Sequence, residues 1–401
     1  MRVIHFCRAF SPVSETFTYD YIIALEAQGI DNHVVTLSRQ NEHSRPFKKI
    51  VVVPWQGRWT IRRLSMRFQI RLGLRLPAEF CLPDLAAMES KVAALRPDVI
   101  HAHFGVEGAA IAPVAAKLGI PLIVTFYGYD ISQLPKFRRW RRYYRRLWRE
   151  VSYITVLSEA MREDALRLGA PSEKIAVVHL GRILSSLPAK DVSRPARRFI
   201  SVGRLVEKKG HLDTIRAMHR AARTCPDLRL DIIGAGPLEP KVRELIGELK
   251  LNDRIKLLGS VQNHETLERM QKADAFILSC KTAKDGDKEG TPTVIVEALA
   301  IGLPCVTTSH AGIPEMFPVE QRQFLADEGD VDQICDRISG LANCPVEQLR
   351  VRTERAREYA ARNFDVEMEA AKLVRLYSMA AGCALPEPQV SHAKPTWLAT
   401  E

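Results

Sequence analysis

The sequence predicts an α/β protein built as two αβα domains of similar size facing a cleft. Three observations carry this. Short runs rich in Val and Ile alternate with helix-like stretches almost throughout the chain, as buried parallel strands joined by right-handed crossovers do. The alternation runs through the first half and is repeated in the second, with a weakly periodic stretch between them. The length, 401 residues, exceeds the ~150 of one ordinary domain.

Met-Arg-Val-Ile-His-Phe-Cys7 reads as the first strand; its apolar run ends at Arg8, too soon for a secretory signal. Val34–Leu37, Val99–His101, Leu122–Thr125 and Tyr153–Val156 follow as strands of the first half. Leu184–Arg198 holds Pro188 and Pro195 and reads as the passage between domains. Strands resume at Phe199–Val202, Leu228–Ile233, Ile255–Leu258, Ala275–Leu278 and Pro304–Thr307. A helix over Val366–Gly382 closes the folded part. The predicted division is therefore a first domain at 1–185, a linker at 186–198, a second domain at 199–365, a closing helix at 366–382 and a loosely ordered tail at 383–401.

Composition excludes several classes. With 46% hydrophobic and 26% charged residues the chain can bury a core, which excludes a disordered or fibrous protein. No apolar run approaches the ~18 residues of a membrane span, so any membrane contact is expected to be peripheral. The eight cysteines form no C-x-x-C pair, and several sit in apolar runs, as reduced core thiols in a cytosolic protein do. The net charge of +11 is concentrated: six arginines lie between Gln56 and Leu76, and eight basic residues between Lys136 and Arg149. Everything else carries 44 basic against 47 acidic residues.

Glu289-Gly-Thr-Pro-Thr-Val-Ile-Val-Glu297 is the most informative stretch. Pro292 suits a helix's first turn and Gly302 its C-terminal cap, which puts Glu297 on the helix and Glu289 in the loop before it. A helix N-terminus offers free N–H groups to phosphate oxygens, and carboxylates on either side can grip sugar hydroxyls. The apolar neighbours of Glu297 leave it little solvent-facing arc. Arg204 and Lys209, five residues apart after a strand, can set two fixed cations against an anionic group. Gly234-Ala-Gly236 is a weak dinucleotide signal, and Glu239 in place of a third glycine argues against NAD. Asp285-Gly-Asp287 matches a D-x-D metal motif but is flanked by Lys284 and Lys288, which disfavour a cation.

The region Glu289–Pro304, with Gly312-Ile-Pro-Glu315 after it, closely resembles the E-x7-E signature of the retaining glycosyltransferases of family 4. Val202-Gly-Arg-Leu-Val-Glu-Lys-Lys-Gly210, Ile233-Gly-Ala-Gly-Pro-Leu238 and Gly259-Ser-Val261 resemble that family's other donor-side loops, in the same order. Ser14-Glu-Thr-Phe17, His101-Ala-His-Phe104 and Thr125-Phe-Tyr-Gly-Tyr-Asp130 are similar to an exopolysaccharide or colanic-acid-type subgroup. The resemblance implies the GT-B fold: two Rossmann-like domains, with a C-terminal helix returning toward the first. It implies Glu289, Arg204 and Lys209 as catalytic residues. Gly203, Gly234, Gly236, Val261, Gly290, Thr291, Pro292, Thr293 and Glu297 become donor-binding, Glu297 through the nucleotide ribose. Glu15, Thr16, His103, Tyr127 and Asp130 are acceptor-side candidates, and no metal or other cofactor is expected. A bland turn at Gly312 competes with a backbone approach to the ligand.

Three departures from that pattern stand in the first half. Ser11-Pro-Val-Ser-Glu15 replaces a glycine-rich loop. Tyr127 stands where many members have His, and a phenol cannot exchange protons near neutral pH as imidazole can. His179-Leu-Gly-Arg-Ile183 replaces an H-x-G-(V/I)-D turn and lacks its Asp; nothing in the sequence accounts for this. In retaining members the leaving phosphate is thought to help deprotonate the acceptor.

Both basic segments read as amphipathic helices. Phe137, Trp140, Tyr144, Leu147 and Trp148 form one stripe, flanked by Arg141, Arg142, Arg145 and Arg146. Ile61, Leu64, Phe68 and Leu72 form another, with Arg63, Arg67 and Arg71 at i, i+4 spacing. Such faces fit an anionic membrane surface, with a solvated helix face as the alternative and no nucleic-acid-reading module in sight. The combined expectation is a hexosyltransferase, cytoplasmic and peripheral on the inner face of the membrane. It would carry a sugar from a UDP- or GDP-linked donor to a lipid-diphosphate-linked oligosaccharide. A soluble glucan or phospholipid acceptor, or a non-catalytic lipid- or nucleic-acid-binding role on the same scaffold, are the alternatives.

Overall fold

Runs of Val, Ile, Leu and Ala with both faces apolar can only be parallel strands covered on each side by helices, and the computed structural model, which describes residues 1–12, 16–53 and 85–385, is built that way. The first sheet holds β1 (Arg2–Phe10), β2 (Asp31–Arg39), β3 (Ile50–Val52), β4 (Val99–His103), β5 (Leu122–Thr125), β6 (Tyr153–Val156) and β7 (Ile175–Val177) in the order β3-β2-β1-β4-β5-β6-β7. The second holds β8 (Arg198–Val202), β9 (Arg229–Ile233), β10 (Ile255–Gly259), β11 (Ala275–Leu278) and β12 (Cys305–Thr307) in the order β10-β9-β8-β11-β12. Every pairing is parallel. Each strand order reverses at one point, between β1 and β4 and between β8 and β11. Open α/β sheets bind ligands beyond the carboxyl ends of the strands at such points. The strands expected from the sequence are present; the three-residue β3 and β7 are additional and too short to show a period.

The helices needed below are α1 (Thr16–Ala27), α2 (Leu85–Leu95), α3 (Gly105–Leu118), α4 (Tyr129–Ser132), α5 (Arg138–Glu150) and α6 (Glu159–Arg167) in the first half. In the second half they are α7 (His211–Ala221), α8 (Glu239–Glu248), α9 (Asn263–Lys272), α10 (Thr293–Ile301), α11 (Val331–Asn343), α12 (Val346–Asn363) and α13 (Val366–Ala381). The last of these joins the first core: Val366, Leu373, Val374 and Tyr377 pack among the buried side chains of β1, β4 and α1. The chain crosses between domains twice, side by side. Arg182 bridges to Asp365, its amide donating to the Phe364 carbonyl and its carbonyl accepting from Val366. Gly181 makes room for this, because a Cβ there would lie 2.7 Å from the Val366 Cα.

Residues 186–197 have no helix or strand, and the expected linker ends one residue inside β8; the segment is strapped to the second domain. Val192 and Ala196 are buried in its core, the Lys190 amide donates to the Ile301 carbonyl at 2.7 Å, and Arg194 pairs with Asp274 at 2.7 Å. The described cysteines are free thiols; Cys7, Cys225 and Cys280 are buried, whereas Cys383 is exposed. No described helix is long and apolar enough to cross a membrane.

Candidate active site

The donor-side motifs converge at the carboxyl ends of β8, β9 and β10. The Gly203 amide donates to the Ile233 carbonyl, Leu205 to Ala235, Leu238 to Leu205, and Gly234 to Gly259, so three loops are stitched into one floor. Gly234 must be glycine: its φ is +140°, and a Cβ would fall 2.0 Å from the Gly203 carbonyl oxygen. At Gly236 a Cβ would fall 2.5 Å from the Leu205 carbonyl oxygen. Val261, just beyond β10, packs against the second domain's core. Arg204 stands exposed on this floor, whereas Lys209 lies against Gly203 and reaches inward.

What Lys209 reaches is Glu289. Its Nζ lies 2.9 Å from Oε2, and Lys208 Nζ lies 3.4 Å from Oε1 and 3.1 Å from Asp287. Burial opposes the charge on Glu289, but the two lysines outweigh it and hold the carboxyl at about 2. The carboxylate is fixed from behind as well. The Glu289 N–H donates to His310 Nε2 at 3.1 Å, so His310 carries its proton on Nδ1 and donates it to Glu328 at 2.6 Å. Glu328 is held at about 2 by that bond and by the Thr282 amide, against its partial burial. Glu289 Oε1 is buried and accepts no hydrogen bond among the described residues. A carboxylate oxygen left open beside two ammonium groups can take a hydroxyl proton donor from a sugar.

Thr293 opens α10, Pro292 is its N-cap residue rather than lying in its first turn, and Gly302 closes it in the left-handed conformation. The loop ahead of α10 touches the first domain. Gly290 lies against the Tyr127 carbonyl, and the Thr291 hydroxyl donates to the Leu157 carbonyl at 3.1 Å. Gly312 faces Ser158, and the Glu315 carboxylate accepts from the Glu159 amide at 2.9 and 3.0 Å, capping α6 across the cleft. A cavity of about 180 Å³ remains between the domains, lined by Gly128, Ser132, Asp164, Lys288 and Glu289 among others.

Glu297 is buried on α10, as its apolar neighbours require, and it is paired with Arg182, whose Nε and Nη2 lie 2.8 and 2.7 Å from Oε1. Arg182 also reaches Asp20 on α1 at 2.5 Å. Within the His179–Ile183 turn, Arg182 thus carries an ion pair between the two domains.

On the acceptor side, Thr16 opens α1 and Glu15 lies outside the described residues. Ser11 adopts a left-handed φ of 64° at the start of the segment that stands in place of a glycine-rich loop. Asp130 is buried and accepts from the amides of Gly105, Tyr127 and Gly128 at 2.9, 3.0 and 2.9 Å. Burial outweighs those bonds and raises its carboxyl to about 6. Oδ1 therefore holds the loop that carries Tyr127 and Oδ2 the start of α3, so both oxygens are committed to backbone amides. The Tyr127 ring lies between Phe17 and Phe104, 4.6 Å from each.

Beneath Tyr127 lies a buried polar chain. Register pairs His5 of β1 with His101 of β4, and His103 follows two residues on, on the same face. Asn32 donates its amide to the carbonyls of Ile22 and Ile30, which turns its Oδ1 toward His5 Nε2 at 3.0 Å. His5 therefore bears its proton on Nε2, and its Nδ1 accepts from His103 Nε2 at 3.0 Å. His103 Nδ1 in turn accepts from the Tyr127 hydroxyl at 2.7 Å. His101 bonds Tyr377 and Thr125, both at 2.6 Å. Burial pushes His5 down to about 4 and His101 and His103 well below the usual range. The three rings come close enough to suggest a metal site, yet all six nitrogens are already engaged, and the His101 and His103 rings stack instead of converging.

The expected membrane face is corrected in part. In α5, Trp140 and Trp148 are buried with Tyr143, Tyr144 and Leu147, because that stripe packs onto α3 and β5 as core. Arg141, Arg142 and Arg145 are exposed and unpaired among the described residues, while Arg146 pairs with Glu150 at 2.8 Å. Phe137 stays 56% exposed at the helix start. Arg63, Arg67 and Arg71 lie outside the described residues. Asp285 and Asp287 form a clasp: Gln133 donates to Asp285 at 2.8 Å and Lys136 to its carbonyl. Asp287, already paired with Lys208, donates its amide to Asp285 at 2.9 Å. Lys208, His310, Glu328, Arg182 and Asp20 are the site residues the sequence reading missed.

A model of the glycosyl transferases group 1 family matches residues 189–360, and one of the glycosyl transferase 4-like domain matches residues 14–181. The colanic acid biosynthesis glycosyltransferase WcaL of Escherichia coli is 29% identical over 403 residues, covering 94% of this chain and 99% of that protein. Its Salmonella typhimurium counterpart is 33% identical over 273 residues, 67% of each chain. Among solved structures, Anabaena HepE in complex with UDP and glucose superposes with a TM-score of 0.74 at 18% identity, covering 94% of this chain and all of that one. Two parallel-sheet domains, the stitched donor floor and these matches place the chain in the group 1 glycosyltransferases, with a GT-B fold and a glycosyl transferase 4-like first domain.

Proposed function

We propose that the protein is a retaining hexosyltransferase of exopolysaccharide biosynthesis, moving a hexose from a UDP- or GDP-linked donor to a lipid-diphosphate-linked oligosaccharide. The observation that carries this is the open, buried oxygen of Glu289, aimed between two lysines at the end of the donor floor. The relatives named for colanic acid biosynthesis support the polysaccharide class, and the neighbour holding UDP and glucose supports a nucleotide-sugar donor.

In this reading Glu289 holds donor-sugar hydroxyls, and Arg204 and Lys209 meet the charge that grows on the diphosphate as its bond to the anomeric carbon breaks. Placed cations do this work without calling on a metal ion. The new bond forms from the acceptor hydroxyl on the same face of the sugar, and the hydroxyl proton passes to the leaving phosphate. His103 is an unsuitable base: both its ring nitrogens are used and burial opposes its taking up a proton. Closure of the cleft through Glu315, Thr291 and Asp285 excludes water, which would otherwise hydrolyse the donor.

The basic face of α5 starts at the cleft mouth, where Lys136 contacts the Asp285 carbonyl, and its exposed arginines fit a cytoplasmic anionic membrane surface near a lipid-borne acceptor. With the tryptophans in the core, this attraction is electrostatic and screened by salt. Transfer of labelled hexose from UDP- and GDP-sugars to polyprenyl-diphosphate oligosaccharides, with the product anomer read by NMR, tests the reaction. Inverted configuration, or transfer to soluble glucan only, contradicts it. Flotation with anionic vesicles is expected in wild type and lost in Arg141→Glu/Arg142→Glu/Arg145→Glu; unchanged flotation removes the membrane reading.

A further inference from the structure

The Asp20–Arg182–Glu297 bridge spans the two domains, and all three side chains are mostly buried. Its centre, Arg182, sits where the chain first crosses between domains, beside Gly181 and against the returning Phe364–Val366 segment. Burial disfavours the guanidinium charge, but Glu297 and Asp20 more than compensate and keep it protonated. Two features make it more than a generic ion pair. Both Arg182 contacts to Glu297 land on one oxygen, Oε1, which pins that oxygen and leaves Oε2 without a hydrogen bond among the described residues. The other end of the guanidinium is anchored on α1, in the acceptor domain.

We propose that Arg182 is a positioning residue for the donor nucleotide: it orients Glu297 so that Oε2 is presented to a ribose hydroxyl, and it ties ribose recognition to the closed domain arrangement through Asp20. This rests on the reading of Glu297 as the ribose ligand. A carboxylate on a helix one and a half turns from its start has rotamers to choose from. A fork that occupies one oxygen removes that choice, and a hydroxyl then finds its acceptor already placed. Lys at this position could hold Oε1 only as a point charge, without the two-nitrogen grip of the guanidinium.

The test is ribose discrimination rather than affinity. Calorimetric Kd values are measured for UDP and GDP and for their 2′-deoxy and 3′-deoxy counterparts, on wild type, Arg182→Lys and Arg182→Met. Loss of a hydroxyl that hydrogen-bonds to a carboxylate costs wild type roughly 10- to 100-fold in affinity. Arg182→Met is expected to show less than about threefold discrimination, and Arg182→Lys an intermediate value. A merely structural role would weaken all nucleotides alike and leave the ratio intact, which would overturn the proposal while leaving Glu297 as the ribose ligand. Absence of discrimination in wild type would instead remove the ribose reading itself, and the proposal with it. Should Arg182→Met not fold, the lysine variant decides: full wild-type discrimination there counts against the proposal.

Discussion

The two halves bury comparable polar clusters and run them in opposite electrical states. In the first domain Asn32, His5, His103 and Tyr127 form a chain whose direction is set by one amide, with every ring nitrogen used and every imidazole neutral. In the second, Lys208, Lys209, Glu289 and Asp287 are buried or half-buried and charged, with a carboxylate oxygen left open and Arg204 exposed beside them. A satisfied neutral chain rigidifies a wall; an incompletely satisfied charged one has capacity left for a ligand. The difference assigns positioning to the acceptor half and charge stabilisation to the donor half.

The comparison breaks first at Lys209. Lys209→Met removes the 2.9 Å partner of Glu289 and a cation from the diphosphate side, and turnover is expected to fall about 10²- to 10³-fold. A loss under tenfold in steady-state kcat would return the charge work to other groups. Asn32→Leu probes the other half. It leaves His5 Nε2–H without its acceptor, at a cost of about 1–3 kcal/mol in urea unfolding, while nucleotide affinity stays within threefold. A large change in nucleotide Kd would mean the chain reaches the donor site.

A smaller effect appears in the pH dependence of stability. His5 and His211 titrate at about 4 in the fold, against 6.5 when exposed. Between those values the unfolded chain binds protons that the folded one refuses, so stability rises with pH across that window, by up to about 1.4 kcal/mol per pH unit for each such histidine. His101 and His103 act in the same direction. Asp130 acts the other way between 3.8 and about 6, since its folded form keeps a proton the unfolded chain has lost, and it offsets one of them. Urea midpoints should therefore drop from pH 7 to pH 5. Equal midpoints would show that the imidazoles accept charge inside the fold.

Where the site was legible in the sequence, its residues follow strands consecutively. Arg204 and Lys209 come just after β8, Gly234 and Gly236 after β9, and Glu289 and Glu297 flank the start of α10. The missed residues meet their partners only in three dimensions. Lys208 reaches Asp287 from 79 positions away and Arg182 reaches Glu297 from 115. His5 and His103 were separately visible, but only the β1–β4 register shows that they touch. Trp140 and Trp148 failed for a different reason. An amphipathic stripe looks the same whether it faces a bilayer or a sheet, and here α3 and β5 claimed it.

Glu289→Gln tests the division of labour most directly, because it keeps the shape of the side chain and removes its charge. Nucleotide Kd and single-turnover transfer are measured on the same preparation. Nucleotide affinity within about threefold of wild type, with transfer slowed at least ~100-fold, is the predicted result. Transfer at the wild-type rate would contradict the assignment of the charged cluster as the seat of catalysis.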